Sequence, residues 1–121
     1  MNACLILGAK QLLLAAGSFT LLWSEPGRDA RWEEDWNVGL AGFQLVETRV
    51  SGEGLEPPEG AILEDGIWRY YAALAVIEDQ LLILREPPRG GTWQICVAGE
   101  CRPLPPDDGT AGKTAILRPC P

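Results

Sequence analysis

Short apolar runs separated by turn-forming residues recur at intervals of about ten residues, and this spacing constrains the fold more than any other feature of the sequence. Runs this short suit β-strands, because helices need roughly ten residues or more. Regularly spaced strands are typical of sandwiches and barrels. The pattern therefore predicts an all-β domain, an antiparallel β-sandwich or open barrel of about 8–11 short strands with at most one short helix.

The predicted strands are bounded by turn residues with a definite physical role. Asp65-Gly66 is expected to form a two-residue hairpin loop, because both residues tolerate the positive φ of a type I′ turn. The segment at 70–84 is rich in alanine and leucine and would also suit a helix. With strands on both sides, it is predicted to make one helical turn before its strand. The predicted strands are residues 3–7, 11–16, 18–24, 31–38, 43–50, 61–64, 67–71, 81–85, 93–97, 100–104 and 114–118.

Length and charge limit the class of protein. A chain of 121 residues is of ordinary size for one domain, so residues 1–121 are predicted to share a single core. The formal charge of −7 argues against nucleic acid as a partner, because affinity for phosphate backbones rests on Lys and Arg. It also opposes binding to anionic membrane surfaces, which attract basic segments.

The N-terminal segment MNACLILGAKQLLLAAGSFTLLW has the apolar character of an export signal or a membrane span. Lys10 interrupts it, whereas a signal starts with positive charge and continues as an unbroken apolar run. The same lysine breaks the roughly 18 apolar residues that a spanning helix requires. We therefore predict two strands joined at Gly8-Ala9-Lys10, no cleaved signal, no membrane-spanning helix and a cytoplasmic location.

The composition argues against catalysis. The sequence has no histidine, so it lacks the commonest general base and the commonest metal ligand. No recognisable nucleophile motif is present either. Neighbouring acids in DARWEEDW lack the spacing of an EF-hand loop, and one acidic strand cannot establish a glycosidase carboxylate pair. The prediction is a protein without catalytic residues, metal site or cofactor.

The stretch RWEEDW, at 31–36, places one acid apart from the others. In a strand, the two-residue period puts Trp32, Glu34 and Trp36 on one face and their neighbours on the other. The neighbouring acids are expected to be solvated. Glu34 would share the buried face with the flanking aromatics Trp32 and Trp36.

A carboxylate on a buried face needs a cation or several hydrogen bonds, or its pKa rises until it is neutral. The candidate cations for Glu34 are Arg49, Arg69 and Arg85. A structural carboxylate at the rim of the sheet is favoured over a ligand contact, and both readings stay open.

The four cysteines fall into two pairs. Cys96 and Cys101 are expected to face each other across a hairpin, within the distance that a disulfide spans. Cys4 and Cys120 lie near the chain ends and would form a second pair if the terminal strands are neighbours. Reduced core thiols, disulfides and zinc all remain open. Reduced thiols are favoured, and zinc least, because a second tight cysteine pair is lacking.

The connection SGEGLEPPEG, at 51–60, is predicted to be a shaped loop and not a phosphate loop, because it has no lysine and no following helix. Gly52 and Gly54 indicate that a backbone or a ligand comes close to the chain here.

Several of these segments together resemble a bacterial family, the domain of unknown function family 1850. They are FTLLW, RWEEDWNV, GFQLVETRVSGEGLEPPEGAILEDGIWRY, WQICVAGECRPL and the terminal LRPC, and they match in order over nearly the whole chain. Members are often encoded beside tripartite ATP-independent periplasmic (TRAP) transporters of the TAXI type. The resemblance implies an association with the uptake of small organic anions.

The resemblance also implies site residues. Glu34 matches the family acid of the WEEDW segment, and Gly52, Gly54, Leu55 and Pro57 match its glycine-rich loop. Members typically carry Thr-His-Ser after the first tryptophan, here Trp23. This sequence has Ser-Glu-Pro there, so Glu25 replaces the histidine and any role of that histidine is lost or altered.

The function predicted from these features is that of a non-enzymatic accessory or interaction module associated with a TRAP-type (TAXI) transporter of small organic anions. Subunits of such a transporter are the expected partners. The alternative is a small-ligand binding or sensing domain with its site around Glu34 and the flanking tryptophans. In either case, a periplasmic or membrane-associated location through the transporter is the alternative to a cytoplasmic one.

Overall fold

The computed structural model describes residues 2–7, 10–14, 17–24, 27, 29–39, 42–52, 54, 56–71, 76–78, 82–84, 93–104 and 115–120. All regular structure in these residues is β, which confirms the predicted all-β class. The strands are β1 (Asn2–Leu7), β2 (Lys10–Leu14), β3 (Ser18–Ser24), β4 (Arg31–Gly39), β5 (Gly42–Ser51), β6 (Ile62–Glu64), β7 (Ile67–Tyr71), β8 (Val76–Glu78), β9 (Leu82–Leu84), β10 (Trp93–Val97), β11 (Glu100–Leu104) and β12 (Ala115–Cys120).

The strands form two antiparallel sheets. One has the order β2-β1-β12-β9, and the other has the order β11-β10-β3-β4-β5-β7-β6, with β8 also paired to β5. The facing sides of the two sheets supply one apolar core, as in a β-sandwich. Its buried residues are Ala3, Leu5, Phe19, Leu21, Trp36, Val38, Phe43, Ile95, Leu104 and Leu117.

β8 lies in the segment that was predicted to contain a helical turn. Its residues pair with the start of β5, where Phe43 lies opposite Ile77. Pairing with β5 and the β-branched side chains of Val76 and Ile77 favour a strand over a helix here. Residues 72–75 and 79–81 of this segment lie outside the described residues, so the predicted helical turn is not tested there. The described part of the chain has twelve strands, one more than the predicted upper limit of about eleven, because β8 was not predicted.

Two hairpin loops have the geometry that their sequences require. Glu64 pairs with Ile67, which leaves Asp65 and Gly66 as a two-residue loop with φ of 50° and 77°. These positive values confirm the predicted type I′ chemistry. The β10–β11 hairpin has the same form at Ala98-Gly99, with φ of 52° and 84°.

The cysteines are oxidised, so the favoured prediction of reduced thiols is wrong. β1 and β12 are neighbouring antiparallel strands, and a disulfide joins Cys4 to Cys120 across a sequence separation of 116 residues. Cys96 and Cys101 lie opposite each other in the β10–β11 hairpin and form the other disulfide. The register confirms the prediction that Cys96 and Cys101 face each other across a hairpin. The pairing of β1 with β12, on which the bond between Cys4 and Cys120 depends, could not be established from the sequence alone.

A β-bulge in β5 sets the direction of the side chains around the central strands. Asp35 pairs with Glu47 and Trp36 pairs with Leu45, so Val46 has no partner in β4. One extra residue reverses the in-and-out alternation of a strand. Glu47 therefore lies on the outer face of the sheet while Leu45 packs against the core.

Candidate functional site

The strand RWEEDWNVG divides its side chains between two faces, as its sequence predicts. Trp36 and Val38 are buried in the core, and Glu34 lies on the same face. Glu33 and Asp35 lie on the opposite, outer face. The two faces have different chemistry.

On the outer face, the Arg49 guanidinium lies among three carboxylates. Its Nε donates to Glu33 at 3.2 Å, and its two terminal nitrogens donate to Glu33, Asp35 and Glu47 at distances between 2.6 and 3.0 Å. A guanidinium has five N–H donors, and five hydrogen bonds are formed here. Arg49 therefore has no donor left for a ligand.

The charge network continues on both sides of Arg49. Arg31 pairs with Glu33 at 2.9 Å, and Arg69 pairs with Glu47 at 2.8 Å and with Glu64 at 3.5 Å. We call this set the outer charge ladder: Arg31, Glu33, Asp35, Glu47, Arg49, Glu64 and Arg69. At neutral pH its four carboxylates exceed its three guanidinium groups, so its net charge is −1.

The contacts of Asp35 stabilise its charged form. The hydrogen bond from Arg49 holds the pKa of Asp35 below its usual range, against the effect of partial burial. Thr20 adds a hydrogen bond to the same carboxylate, from Oγ1 to Oδ1 at 2.7 Å. Asp35 in turn raises the pKa of Arg49. The prediction that the outer acids are simply solvated is therefore wrong, because Glu33 and Asp35 share a half-buried cation.

Beside this ladder lies an open depression of about 530 Å³. Its lining includes Thr20, Asp35 and both cysteines of the β10–β11 disulfide. Thr20 and Asp35 are bonded to each other, and Arg49 is saturated. Thr20, Asp35 and Arg49 therefore already have partners where they line the depression.

On the inner face, burial raises the pKa of Glu34, and the indole groups of Trp32 and Trp36 partly offset this effect. Trp36 Nε1 lies close enough to the carboxyl group of Glu34 to lower its pKa. Within the described part of the chain it has no acceptor in good hydrogen-bonding geometry, so we regard its contact with Glu34 as electrostatic. Glu34 thus lies between two indoles in a desolvated position.

No cation in the described residues pairs with Glu34, so the predicted ion pairs with Arg49 and Arg69 are wrong. Arg49 lies directly opposite Glu33 in the strand register, and Arg69 lies opposite Arg49. Partners in register share a face, so both guanidinium groups point away from Glu34. Arg85 lies outside the described residues.

A row of tryptophans crosses the same inner face. Trp93 pairs with Trp23, Trp23 pairs with Trp32, and Val50 connects this row to Trp68. Trp23 is buried, whereas the other three are half-buried. The sequence analysis identified Trp23, Trp32 and Trp36 but missed Trp68 and Trp93. Their alignment depends on register between distant strands, which periodicity within one strand does not report.

The glycine-rich loop makes its close approach to a backbone. Gly52 has a φ of 89°, and a Cβ at this position would lie 1.8 Å from the carbonyl oxygen of Asp29. Only glycine fits such a contact. Gly54 also has a positive φ, and Pro57 is exposed. Leu55 and Glu25, which the resemblance implied as site residues, lie outside the described residues.

Within the ranges that the structure describes, acidic and cysteine side chains form no cluster of three or more that would hold a metal ion. The described residues also include no helix with the length and apolar character needed to cross a bilayer. No protein-family model matches this chain, and comparisons with curated proteins and with solved structures likewise found no match.

Proposed function

We propose that this domain is a non-enzymatic accessory or interaction module associated with a TRAP-type (TAXI) transporter of small organic anions. The transporter setting rests on the resemblance of the sequence to the domain of unknown function family 1850. The non-catalytic role is supported by the absence of histidine from the sequence.

The state of Arg49 is the observation that carries this proposal. A protein that captures an organic anion needs a preorganised donor for the carboxylate, most often an arginine. Arg49 is the guanidinium at the centre of the outer face, and its five hydrogen bonds all go to acids of this chain. The surplus negative charge of the outer charge ladder would also repel an anion. This face therefore suits contact with a protein better than capture of a solute.

The two disulfides support a periplasmic or other extracytoplasmic location in preference to the cytoplasm. Disulfides persist in oxidising compartments and are rare where thiol reductants are abundant. TRAP-type transporters are fed from the periplasm, so such a location places the domain on the side where the solute arrives.

Solute uptake tests the accessory role. Cells that carry the TAXI-type transporter should take up its organic anion more slowly when the gene for this domain is deleted, and a plasmid copy should restore the rate. A matched plasmid copy with Arg49→Ala, if it accumulates to the same level, measures whether the outer charge ladder is needed. Equal uptake with and without the domain would contradict the proposal.

A ligand-binding role around Glu34 is the second candidate, and one observation favours it. A buried carboxyl group without a cationic partner lies beside the indole N–H of Trp36, which has no acceptor in good geometry in the described region. A ligand with a positively charged donor for the Glu34 carboxylate and an acceptor for the indole N–H could satisfy both. Thermal shift measurements with small amines and organic acids test this role, and Glu33→Gln is the matched control for Glu34→Gln.

A further inference from the structure

Within the part of the chain that the structure describes, the edge of the larger sheet at β6 is open and apolar. β6 is the last strand of that sheet, and only β7 pairs with it among the described strands. Ile62 and Leu63 are 58% and 54% exposed. An edge strand carries unpaired backbone N–H and C=O groups that can pair with another chain.

The opposite edge of the same sheet is protected. β11 contains Pro103, which has no N–H to donate, together with the charged residues Glu100 and Arg102. Proline and charged side chains are the devices that proteins use to prevent pairing at an edge. β6 has neither a proline nor a lysine, and two of its three residues are large and apolar.

The surroundings of β6 are acidic. Residues 50–68 contain five acids, Glu53, Glu56, Glu59, Glu64 and Asp65, and no lysine or arginine. The four of these acids that the structure describes are exposed. Glu64 contacts Arg69 at 3.5 Å, and the outer charge ladder beyond it has surplus negative charge. A strand that pairs with β6 would therefore enter a negative field.

We infer that the edge of β6 binds an extended, positively charged segment of a partner protein, which pairs with β6 as an additional strand. This inference rests on the proposed interaction role and names the surface and the kind of segment involved. The unpaired backbone supplies the hydrogen bonds, and the alternate side chains supply the specificity. Such an added strand would extend the sheet beyond the β6–β7 hairpin.

The register defines which side chains the segment needs. Leu63 lies opposite Trp68 and extends the tryptophan row of the inner face, whereas Ile62 lies opposite Arg69 on the outer face. The added strand therefore meets an apolar residue on each face. Apolar residues at the centre with Lys or Arg around them match both the surface and the charge. A second copy of this domain fits poorly, because its own β6 region is equally acidic.

A model peptide tests the inference without any transporter. The probe is a seven-residue peptide with three isoleucines at its centre and two lysines at each end, and its control has the same charge with the central isoleucine replaced by proline. We expect saturable binding of the first peptide, with backbone amide shifts concentrated in β6, and at least tenfold weaker binding of the second. Proline removes a backbone donor and disfavours a paired strand while leaving the charge unchanged.

Two variants locate the site. Leu63→Lys should weaken peptide binding at least tenfold, whereas Leu13→Lys should leave it unchanged. Leu13 is 59% exposed on β2 of the other sheet, so both variants add one charge at a similarly exposed leucine. Melting temperatures check that both variants fold. Should Leu63→Lys unfold, the comparison of the two peptides on the unmodified protein decides the question.

Four results would overturn the inference. They are no binding of the isoleucine-centred peptide, equal binding of the proline peptide, unchanged binding by a folded Leu63→Lys variant, and dimers of the unmodified protein that Leu63→Lys abolishes. The last would mean that β6 pairs with a second copy. Peptide binding at β6 without any association with transporter subunits would instead contradict the proposed transporter role and leave the edge site in place.

Discussion

Removal of the Arg49 side chain tests the reasoning about the outer face. Arg49→Ala deletes five hydrogen bonds and leaves Glu33, Asp35 and Glu47 close together without their shared cation. Glu47 keeps its contact with Arg69, and Glu33 keeps its contact with Arg31. Asp35 loses both hydrogen bonds from Arg49 and, among the described residues, keeps only the one from Thr20, so its charged form loses the most stabilisation.

The expected loss of stability lies near the value for a buried ion pair. Breaking such a pair costs about 3–5 kcal/mol, whereas an exposed pair contributes about 0–1 kcal/mol. The Arg49 side chain is 18% exposed, and its partners are 13–33% exposed. We therefore expect a loss of about 3 kcal/mol. At an unfolding entropy of about 2.1 cal/mol/K per residue, this corresponds to a fall in Tm of about 12 °C.

Thermal unfolding followed by circular dichroism measures the effect, and Arg31→Ala is the control. The Arg31 side chain is 51% exposed and pairs with Glu33, so its removal should cost no more than about 0.5 kcal/mol. Arg49→Lys should recover part of the loss, because an ammonium keeps the charge but cannot form the bidentate contacts. Equal melting temperatures for Arg49→Ala and Arg31→Ala would refute the claim that the ladder stabilises this sheet.

Three further predictions concern the inner face, the disulfides and the glycine-rich loop. Glu34→Gln should raise Tm at pH 7, and the gain in Tm should disappear as the pH falls. The raised pKa of Glu34 means that the folded state binds the proton more tightly than the unfolded state, so the charged carboxylate destabilises the fold at higher pH. A constant difference in Tm between pH 4 and pH 8 would contradict this. Replacing both cysteines of the β1–β12 disulfide by alanine should lower the free energy of unfolding by about 4–5 kcal/mol, and the same change in the β10–β11 hairpin should lower it by about 2 kcal/mol, because the first disulfide closes a much longer loop. Equal losses in denaturant titrations would argue against this entropic explanation. Gly52→Ala should destabilise the protein by at least about 2 kcal/mol, because the added Cβ would lie 1.8 Å from a backbone oxygen and the φ of Gly52 is 89°. Gly66→Ala is the control, because Gly66 also has a positive φ but open space around it.

The part of the fold that depends on local chemistry was predictable from the sequence. The spacing of apolar runs indicated the all-β class, and Asp65-Gly66 indicated its hairpin. The two-residue period assigned the faces of β4, because that strand has no extra residue of its own. In each case the signal lies within a few neighbouring residues.

The candidate site was less predictable because it depends on pairing between distant strands. The position of Arg49 follows from its register with Glu33 and from the bulge at Val46, and no pattern in the sequence reports either. Arg49 was therefore named as a candidate cation for Glu34, whereas it pairs with the acids of the other face. The bond between Cys4 and Cys120 depends in the same way on the pairing of two strands at opposite ends of the sequence.

The face on which Arg49 lies decides whether the charge of Glu34 stabilises or destabilises the fold. With Arg49 on the same face, Glu34 would be a satisfied structural carboxylate whose removal destabilises the fold. With Arg49 on the outer face, burial raises the pKa of Glu34, and the charged form costs stability. A carboxyl group kept at such a cost is a reason to include Glu34→Gln in every ligand-binding and uptake experiment.

Co-purification with the transporter tests the central claim most directly. The tagged domain and the membrane subunits of the TAXI-type transporter would be expressed together, extracted in mild detergent and separated by size-exclusion chromatography. The account predicts that the domain elutes with the membrane subunits at a fixed ratio, and that an unrelated TRAP-type transporter from another solute class does not retain it. Elution of the domain alone, with the membrane subunits intact in a separate peak, would contradict the account.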